Sequence, residues 1–349
     1  MNCVSLFSGC GGLDLGFERA GFKVISANDN EPLCAESFTR NFPGVPFYTG
    51  SVTDFVDALE SGAWSINEPV DVLIGGPPCP PYSKSRFYRT EKPRGIEDDL
   101  GSETLNGYLN TLRLLRPRAF VLENVAGFAY KVHREALDLV LQEAANSGYS
   151  CTWKVVNAAN YGVPQIRERF LLVGVRGGHF MFPDPTHAKG GSLELPPWRT
   201  AGEVLTDLDT DANADDTGHF AGGQFHHLLR EIPPGDNYLY FTEKRGHPEP
   251  QFVWRSRYWS FLLKLSPDLP AWTIQARRSN NMGPFHWRNR ILRIEEIKRL
   301  QTFPDDWKLA GTVEAQWRQI GNAVPPLLAQ RLATAVGSAL EAQDVALAA

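Results

Sequence analysis

One of the five cysteines, Cys79, lies in a stretch whose composition restricts its backbone. The stretch reads Gly-Gly-Pro-Pro-Cys-Pro-Pro over residues 75–81, so that two glycines and four prolines surround the thiol. A lone cysteine is more often a small buried hydrophobe than a nucleophile. Here the rigid presentation, together with the basic residues that follow from Lys84, favours a reactive thiolate. Cys79 is therefore the candidate nucleophile.

Three charged residues beside other apolar runs could serve the same chemistry. Glu123 follows the run 119–122 and is a candidate proton donor, although a helix cap or a surface ion pair is the commoner fate of such a carboxyl. Arg167 and Arg169 precede the run 170–175, where the alternative is an ordinary charged start of a strand. A carboxyl that acts as an acid at neutral pH needs a raised pKa, which burial would supply.

A glycine-rich turn follows the first apolar run. Residues 7–16 read Phe-Ser-Gly-Cys-Gly-Gly-Leu-Asp-Leu-Gly and lead into an amphipathic segment. Glycines let the backbone turn tightly and approach a ligand, and a helix N-terminus favours a negative group. The spacing matches a dinucleotide-binding turn only loosely, so a merely tight strand-to-helix turn stays open. Asp29, at the end of the next run, is placed where such folds bind ribose hydroxyls.

The elements that position these residues are predicted from periodicity. Continuous apolar runs, typical of buried parallel strands, cover residues 3–7, 22–27, 70–74, 119–122 and 170–175. Amphipathic segments, typical of helices, separate them at 13–20, 31–41, 105–115 and 134–147. The alternation predicts an α/β fold with a doubly wound, mostly parallel sheet, whose site lies at the carboxyl ends of the strands.

The second half of the chain has a different texture. From 177 to about 279 it is rich in glycine, proline, aspartate and aromatic residues and has little periodicity. A helical pattern returns from 295, and a last helix is predicted over 325–340. We therefore predict two domains, one formed by residues 1–177 with 279–349 and a smaller, irregular one over 178–278.

Composition limits the class of protein. The 349 residues carry a formal net charge of −5 and include no apolar run of the ~18 residues that a membrane span requires. The five cysteines lack metal-ligand spacing and no export signal opens the chain, which favours reduced thiols, no metal and a cytoplasmic protein. Basic residues are concentrated in 84–94 and, among aromatic residues, in 251–293, whereas acidic residues are concentrated in 207–216. Basic, aromatic surfaces suit nucleic acid, although solvated faces over core aromatics are the alternative interpretation.

Taken together and in this order, these segments resemble the DNA cytosine-5 methyltransferase family of bacterial restriction–modification systems. The resemblance rests on residues 7–16, 75–83, 123–125, 165–169, 299–304 and 319–325, and it spans roughly 1–176 and 270–337. It implies a Rossmann-like catalytic domain that uses S-adenosylmethionine over 1–177 and 279–349. It also implies a target-recognition domain over 178–278, with double-stranded DNA bound between the two.

The resemblance further implies roles for individual residues. Cys79 would add to C6 of a flipped-out cytosine, because C6 is out of reach in stacked DNA. Protonated Glu123 would hydrogen-bond N3, Arg169 would hold O2, and Arg167 would support the nucleophile loop. The cofactor, with Asp29 on its ribose, would be bound by Phe7, Ser8, Gly9, Cys10, Gly11, Gly12, Leu13, Asp29, Asn30, Ser51, Pro78, Asn322 and Val324.

The resemblance implies a set of DNA contacts as well. They are Ser83, Lys84, Arg86, Arg89, Gln165, Arg255, Arg257, Arg277 and Arg278. Residues 84–94 are expected to form a loop that closes over the flipped base and contacts phosphates, so that binding weakens with salt. Arginines of this set that pair with guanine would point to a G·C-rich target.

Five positions depart from the family's pattern, two of them within residues 290–296, where the family usually has a threonine and an arginine. Pro80 stands where a glutamine is usual, and Tyr82 replaces a phenylalanine. Ser51 stands where an aspartate usually meets the adenine amino group of the cofactor, which leaves that contact open.

Other functions stay open at this point. The branch of the family that methylates transfer RNA typically carries a Cys-Phe-Thr signature, which this sequence lacks. A non-catalytic DNA-binding protein would not require Cys79 and Glu123, and a nicotinamide-dependent oxidoreductase explains only the glycine-rich turn. Because one chain holds the whole catalytic set, we expect a monomer, with a restriction endonuclease as its functional partner.

Overall fold

The computed structural model describes residues 1–78, 97–213, 216, 219, 221–255 and 258–348. The strands in these ranges are β1 (Asn2–Leu6), β2 (Lys23–Asp29), β3 (Phe47–Thr49), β4 (Val72–Gly75), β5 (Ala119–Val125), β6 (Tyr149–Asn157), β7 (Gln165–Ile166), β8 (Glu168–Arg176) and β9 (Ala271–Trp272). The helices are α1 (Gly12–Arg19), α2 (Pro32–Asn41), α3 (Val52–Glu60), α4 (Asp99–Leu115), α5 (Arg134–Asn146), α6 (Ala201–Leu205), α7 (Ile294–Leu300), α8 (Val313–Asn322) and α9 (Pro326–Ala348).

Seven of the strands form one sheet in the order β3–β2–β1–β4–β5–β8–β6. The first five of these are mutually parallel, which confirms the predicted doubly wound, mostly parallel sheet. The prediction that 170–175 is a parallel strand is wrong, because β8 is antiparallel to both β5 and β6. The connection from β6 to β8, over residues 158–167, is shorter than the dozen or so residues that a parallel crossover needs.

Helices cover both faces of this sheet. Val72 and Ile74 of β4 pack in one hydrophobic cluster with residues of α1 and α9. Leu73, which points to the opposite face, packs in a second cluster with residues of α3, α4 and α5. Burial on both faces explains why the central strands are continuous apolar runs in the sequence.

The last helix lies directly on the first. A Cβ atom at Gly16 of α1 would stand 2.2 Å from the Cβ of Ala329 in α9, so only glycine allows this approach. The C-terminal segment therefore completes the layer that begins with the N-terminal helix.

The segment 178–278 consists mainly of loops and short 3₁₀ turns, such as Tyr238–Phe241. Its apolar residues, among them Leu228 and Phe241, belong to a cluster that also contains Phe38 of α2 and Leu300 of α7. Because this cluster crosses the expected boundary near 278, the division into two domains stays a prediction. None of the helices in the described part of the chain is long and apolar enough to cross a membrane.

Candidate active site

Four chain segments meet at the carboxyl edge of the sheet. β1 leads into residues 7–11, β2 ends at Asp29, β4 leads into 76–78, and the last three residues of β5 are Glu123, Asn124 and Val125. They are brought together because β2, β1, β4 and β5 are adjacent and parallel, with the reversal of strand order between β1 and β4. Open α/β sheets bind ligands in the crevice at such a reversal. Cys79 itself lies outside the described residues, which end on this loop at Pro78.

A buried ion pair occupies this edge. The Nε of Arg169 lies 2.8 Å from Oε1 of Glu123, and both side chains are almost completely buried. Burial raises the pKa of Glu123 above its usual value, while the positive charges of Arg169 and Arg167 act in the opposite direction. The pairing depends on the antiparallel register of β5 and β8, in which Val125 stands opposite Arg169. The site thus holds a carboxyl that retains its proton more readily than an exposed glutamate.

Gly76 gives this carboxyl its space. A Cβ atom at position 76 would stand 2.7 Å from Oε2 of Glu123. The glycine therefore lets the loop that leads to Cys79 pass directly beside the acid.

Asn124 ties the acid strand to the same loop. Its side-chain amide is fully buried and donates a hydrogen bond to the carbonyl oxygen of Pro77 at 3.1 Å, while its oxygen accepts from the N–H of Val125. Sequence reasoning gave Asn124 no role of its own, although its place beside the acid at a strand end was the available signal. The bond fixes the backbone two residues before Cys79.

Arg167 connects three distant segments. Its guanidinium is fully buried and donates to the carbonyl oxygens of Ile274 (2.9 Å), Gly321 (2.7 Å) and Ala323 (3.0 Å). The side chain thus anchors the end of α8 to the strand that carries Arg169. This is the geometry of a positioning residue.

Gln165, expected at the DNA interface, is fully buried instead. Its amide nitrogen donates to Oε1 of Gln301 at 3.0 Å, and its oxygen accepts from the N–H of Ile274 at 3.1 Å. The pairing of β7 with β9, in which Gln165 stands opposite Ala271, covers the side chain. The expected DNA contact is therefore corrected to an internal one.

The glycine-rich turn presents an open outer side. Phe7 (φ 54°) and Gly9 (φ 56°) both have left-handed backbones, a costly conformation for phenylalanine that is concentrated at functional sites. The N–H of Gly9 donates to Oδ2 of Asp29 at 2.9 Å, and Oδ1 accepts from the N–H of Glu31 at 2.9 Å. Among the described residues, none apart from the chain neighbours of Gly9 has an atom within 4 Å of its Cβ position, so a ligand has room beside them.

The inner side of the turn is filled by the protein itself. Cys10, Gly11, Gly12 and Leu13 are buried, and burial raises the pKa of the Cys10 thiol to about 12. A Cβ atom at Gly12 would stand 2.5 Å from the carbonyl oxygen of Val324. These four residues can therefore offer a ligand their backbone but hardly their side chains.

The remaining residues expected to contact the cofactor differ in exposure and in hydrogen bonding. Ser51 is the N-cap of α3, where its hydroxyl accepts from the N–H of Asp54 at 3.0 Å and donates to the Asp54 carboxylate at 2.8 Å. That hydroxyl is committed to capping, which bears on the open question of the adenine contact. Asn30 and Asn322 are exposed, Pro78 is half-buried, and Ser8 is buried with its hydroxyl donating to that of Ser5.

Five of the nine expected DNA-binding residues fall in parts of the chain that the structure does not describe. Ser83, Lys84, Arg86, Arg89 and Arg257 lie outside the described residues. Of the others, Arg255 and Arg277 are exposed, and the half-buried Arg278 forms an ion pair with Glu314.

The acidic stretch lies against the basic one rather than apart from it. Arg288 pairs with Asp209 at 2.8 Å, and Arg293 pairs with Asp216 at 2.5 Å. The basic segment 251–293 is therefore less positive in the folded protein than its composition suggests.

The family to which the chain belongs follows from comparison with known proteins. The model of the family described as C-5 cytosine-specific DNA methylase matches residues 1–338, and the chain belongs to that family. The protein is therefore a DNA cytosine-5 methyltransferase, as the resemblance of its segments predicted.

Two similar sequences and two similar structures illustrate the match. The Type II methyltransferase M.SacI of Streptomyces achromogenes is 37% identical, over 92% of this chain and 89% of that relative. M.NgoFVII of Neisseria gonorrhoeae, also a Type II methyltransferase, is 33% identical over 93% and 83% of the two chains. A DNA modification methyltransferase encoded within an E. coli prophage superimposes with a TM-score of 0.72 at 21% identity, over 98% and 99% of the chains. The S. pombe Dnmt2 methyltransferase does so with 0.63 at 15%, over 99% of each. These two structures share the fold.

Proposed function

We propose that this protein methylates C5 of a flipped-out cytosine within a specific duplex DNA sequence, using S-adenosylmethionine, as the modification enzyme of a restriction–modification system. The observation that carries the proposal is the buried pair of Glu123 and Arg169 beside the loop that leads to Cys79. In a chain of this family, that pair is placed to serve an attack by the Cys79 thiolate.

The glycine-rich turn fits the proposed methyl donor. Space is open at Gly9, and the Asp29 carboxylate accepts two backbone hydrogen bonds of the roughly four that a carboxylate can accept. Ribose hydroxyls can therefore still donate to Asp29, while Phe7 and the exposed Asn322 would border the ligand. S-adenosylmethionine, when bound, supplies an activated methyl group. The Ser51 hydroxyl contributes little, since Asp54 engages it.

The acid pair acts on the cytosine ring. Addition of the Cys79 thiolate to C6 pushes electron density towards N3 and O2 of the base. Burial raises the pKa of Glu123 and so favours its protonated form, in which the carboxyl donates to N3, while Arg169 holds both the carboxyl and the base oxygen in place. The ring then becomes nucleophilic at C5, and loss of the C5 proton after methylation expels Cys79. Because C6 is inaccessible in stacked DNA, the cytosine has to leave the helix first.

A direct assay tests this function. The protein is incubated with radiolabelled S-adenosylmethionine and, separately, with mixed-sequence duplex DNA or total tRNA. Label recovered as 5-methylcytosine in DNA is expected for the wild type and for Cys151→Ser, a half-buried thiol on β6, but not for Cys79→Ser. Label in tRNA alone would refute the DNA substrate, and label in DNA with Cys79→Ser would refute the nucleophile.

The wider context is part of the proposal. Type II methyltransferases among the relatives support a cognate restriction endonuclease, and we propose that the protein works in the bacterial cytoplasm as a monomer. Sequencing of methylated host DNA would give the target site. Protection of that site from a nuclease of the same host, together with the sedimentation of the free protein, would test the pairing and the monomeric state.

A further inference from the structure

A groove of about 490 Å³ opens beside the acid pair. On the catalytic side it is lined by Val125, which stands opposite Arg169 in the sheet, and by Glu168. On the other side it is lined by Trp259 and Trp272. Its volume lies within the range of about 300–1,000 Å³ that is typical of ligand sites. Its lining residues on the catalytic side are therefore neighbours of the acid pair in the sheet, and none of the described lining residues is Glu123, Arg167 or Arg169.

The two tryptophans that line the groove differ in their surroundings: Trp272 belongs to a strand, and Trp259 is partly exposed. Trp272 belongs to β9, which pairs with β7 immediately before Arg167 and Arg169. Trp259 packs against it with ring centroids 4.9 Å apart in an edge-on arrangement, and 43% of Trp259 is exposed. The backbone of Trp259 is held by a hydrogen bond from the buried amide of Asn237 at 2.8 Å. A large flat ring is thus presented to the groove from a fixed support.

The charge of the groove identifies the part of DNA that suits it. Among the described residues that line it, the only charged side chain is that of Glu168, and Gln275 adds a polar amide. A carboxylate repels phosphate but accepts hydrogen bonds from the amino groups of bases. Exposed aromatic rings stack on bases of any sequence. A nucleobase therefore fits where a phosphate does not.

When the target cytosine is flipped out, its two neighbouring bases and the base opposite it lose a stacking partner. We propose that Trp259 stacks on one of these bases. This proposal rests on the DNA methylation proposed above. Flipping costs a few kcal/mol of lost stacking and pairing. A stacked base of this kind contributes about 1–3 kcal/mol, which corresponds to about 5- to 150-fold in affinity. Trp259 thereby offsets part of the cost of opening the duplex.

The test uses the duplex that carries the mapped target site, with wild type, Trp259→Ala, Trp259→Phe and Trp254→Ala. Trp254, which is 44% exposed and packs under Lys244, is the matched control. It lines a second cavity together with Trp259 but does not line the groove, so its variant separates the role of the groove from that of the second cavity. Trp259→Ala is expected to weaken DNA binding about 5- to 150-fold with an unchanged KM for S-adenosylmethionine. Trp259→Phe should restore most of the affinity, and Trp254→Ala should leave it unchanged.

A second measurement separates stacking from a merely structural role. Abasic residues are placed in turn at the two neighbours of the target cytosine and at the position opposite. At one of these positions the lesion should weaken binding by the wild type, yet have little effect on Trp259→Ala. Equal effects on both proteins at every position, or wild-type affinity of Trp259→Ala, would overturn the proposal. Loss of methylation by the wild type on the intact duplex would instead refute the proposed function.

Discussion

Asp14 provides a quantitative test of the electrostatics beneath the glycine-rich turn. It lies in the first turn of α1 and is fully buried. Burial raises its pKa from 3.8 to about 7, the charges of Asp29 and Glu18 act in the same direction, and the Ser5 hydroxyl lowers it only in part. Asp14→Asn removes the titration while keeping the shape of the side chain.

The expected effect follows from linkage. Between pH ~4 and ~7 the folded protein keeps the proton that the unfolded chain releases, so the free energy of unfolding falls as pH rises through this window. A shift of about three units, at about 1.36 kcal/mol each, corresponds to about 4 kcal/mol lost above pH 7. Asn cannot ionise, so the variant should be the more stable protein at pH 8. Its advantage should be about 3 kcal/mol larger at pH 8 than at pH 5.

Urea unfolding of the wild type and the variant at pH 5 and pH 8 measures this difference. Asp57→Asn, which removes an exposed carboxyl on α3, is the control for the loss of one acidic group at the surface. A stability difference between Asp14→Asn and the wild type that is the same at both pH values would refute the reasoning, since the pKa of this carboxyl would then not be raised by folding.

Three further variants test the acid and the loop beside it. Gly76→Ala places a Cβ against the Glu123 carboxyl, and steady-state kinetics should show kcat lowered at least about tenfold with the fold intact by circular dichroism. Glu123→Gln removes the transferable proton and should lower kcat by about 10²–10⁴ without changing cofactor affinity in calorimetry. Asn124→Ala removes the hydrogen bond to the Pro77 carbonyl, which fixes the loop before Cys79. The kcat should therefore fall, while the KM for S-adenosylmethionine should stay unchanged. Wild-type kcat in any of the three would contradict the geometry assigned to that residue.

The position of Glu123 near the end of a strand could be predicted from sequence, but its contacts could not. Glu123 follows a strongly apolar run, so its place at a strand end is a local property of the chain. Its contact with Arg169 requires β8 to be the antiparallel neighbour of β5. A continuous apolar run indicates burial on both faces, and β8 is buried in this way although it is antiparallel. Gln165 was misassigned for a similar reason, since β7 and β9 are two-residue strands about a hundred residues apart.

The glycine-rich turn shows the same limit. Its glycines indicate that another group closely approaches the backbone, but the sequence does not show which group. In the structure, Gly9 faces open space. Gly12 lies against Val324 and Gly16 against Ala329, each some three hundred residues away in the chain. Tertiary packing determines such distant contacts, so they cannot be predicted from the residues of the glycine-rich turn alone.

The packing of α9 on α1 also has a consequence for the time course of biosynthesis. At about 5–20 residues per second, a ribosome needs roughly 15–60 s to proceed from Gly16 to Ala329. Throughout that interval the nascent α1 lacks the helix that covers it, and the inner side of the glycine-rich turn lacks its contact with Val324. We therefore expect the growing polypeptide to form the native packing of the glycine-rich turn only after Val324 and α9 have been synthesised.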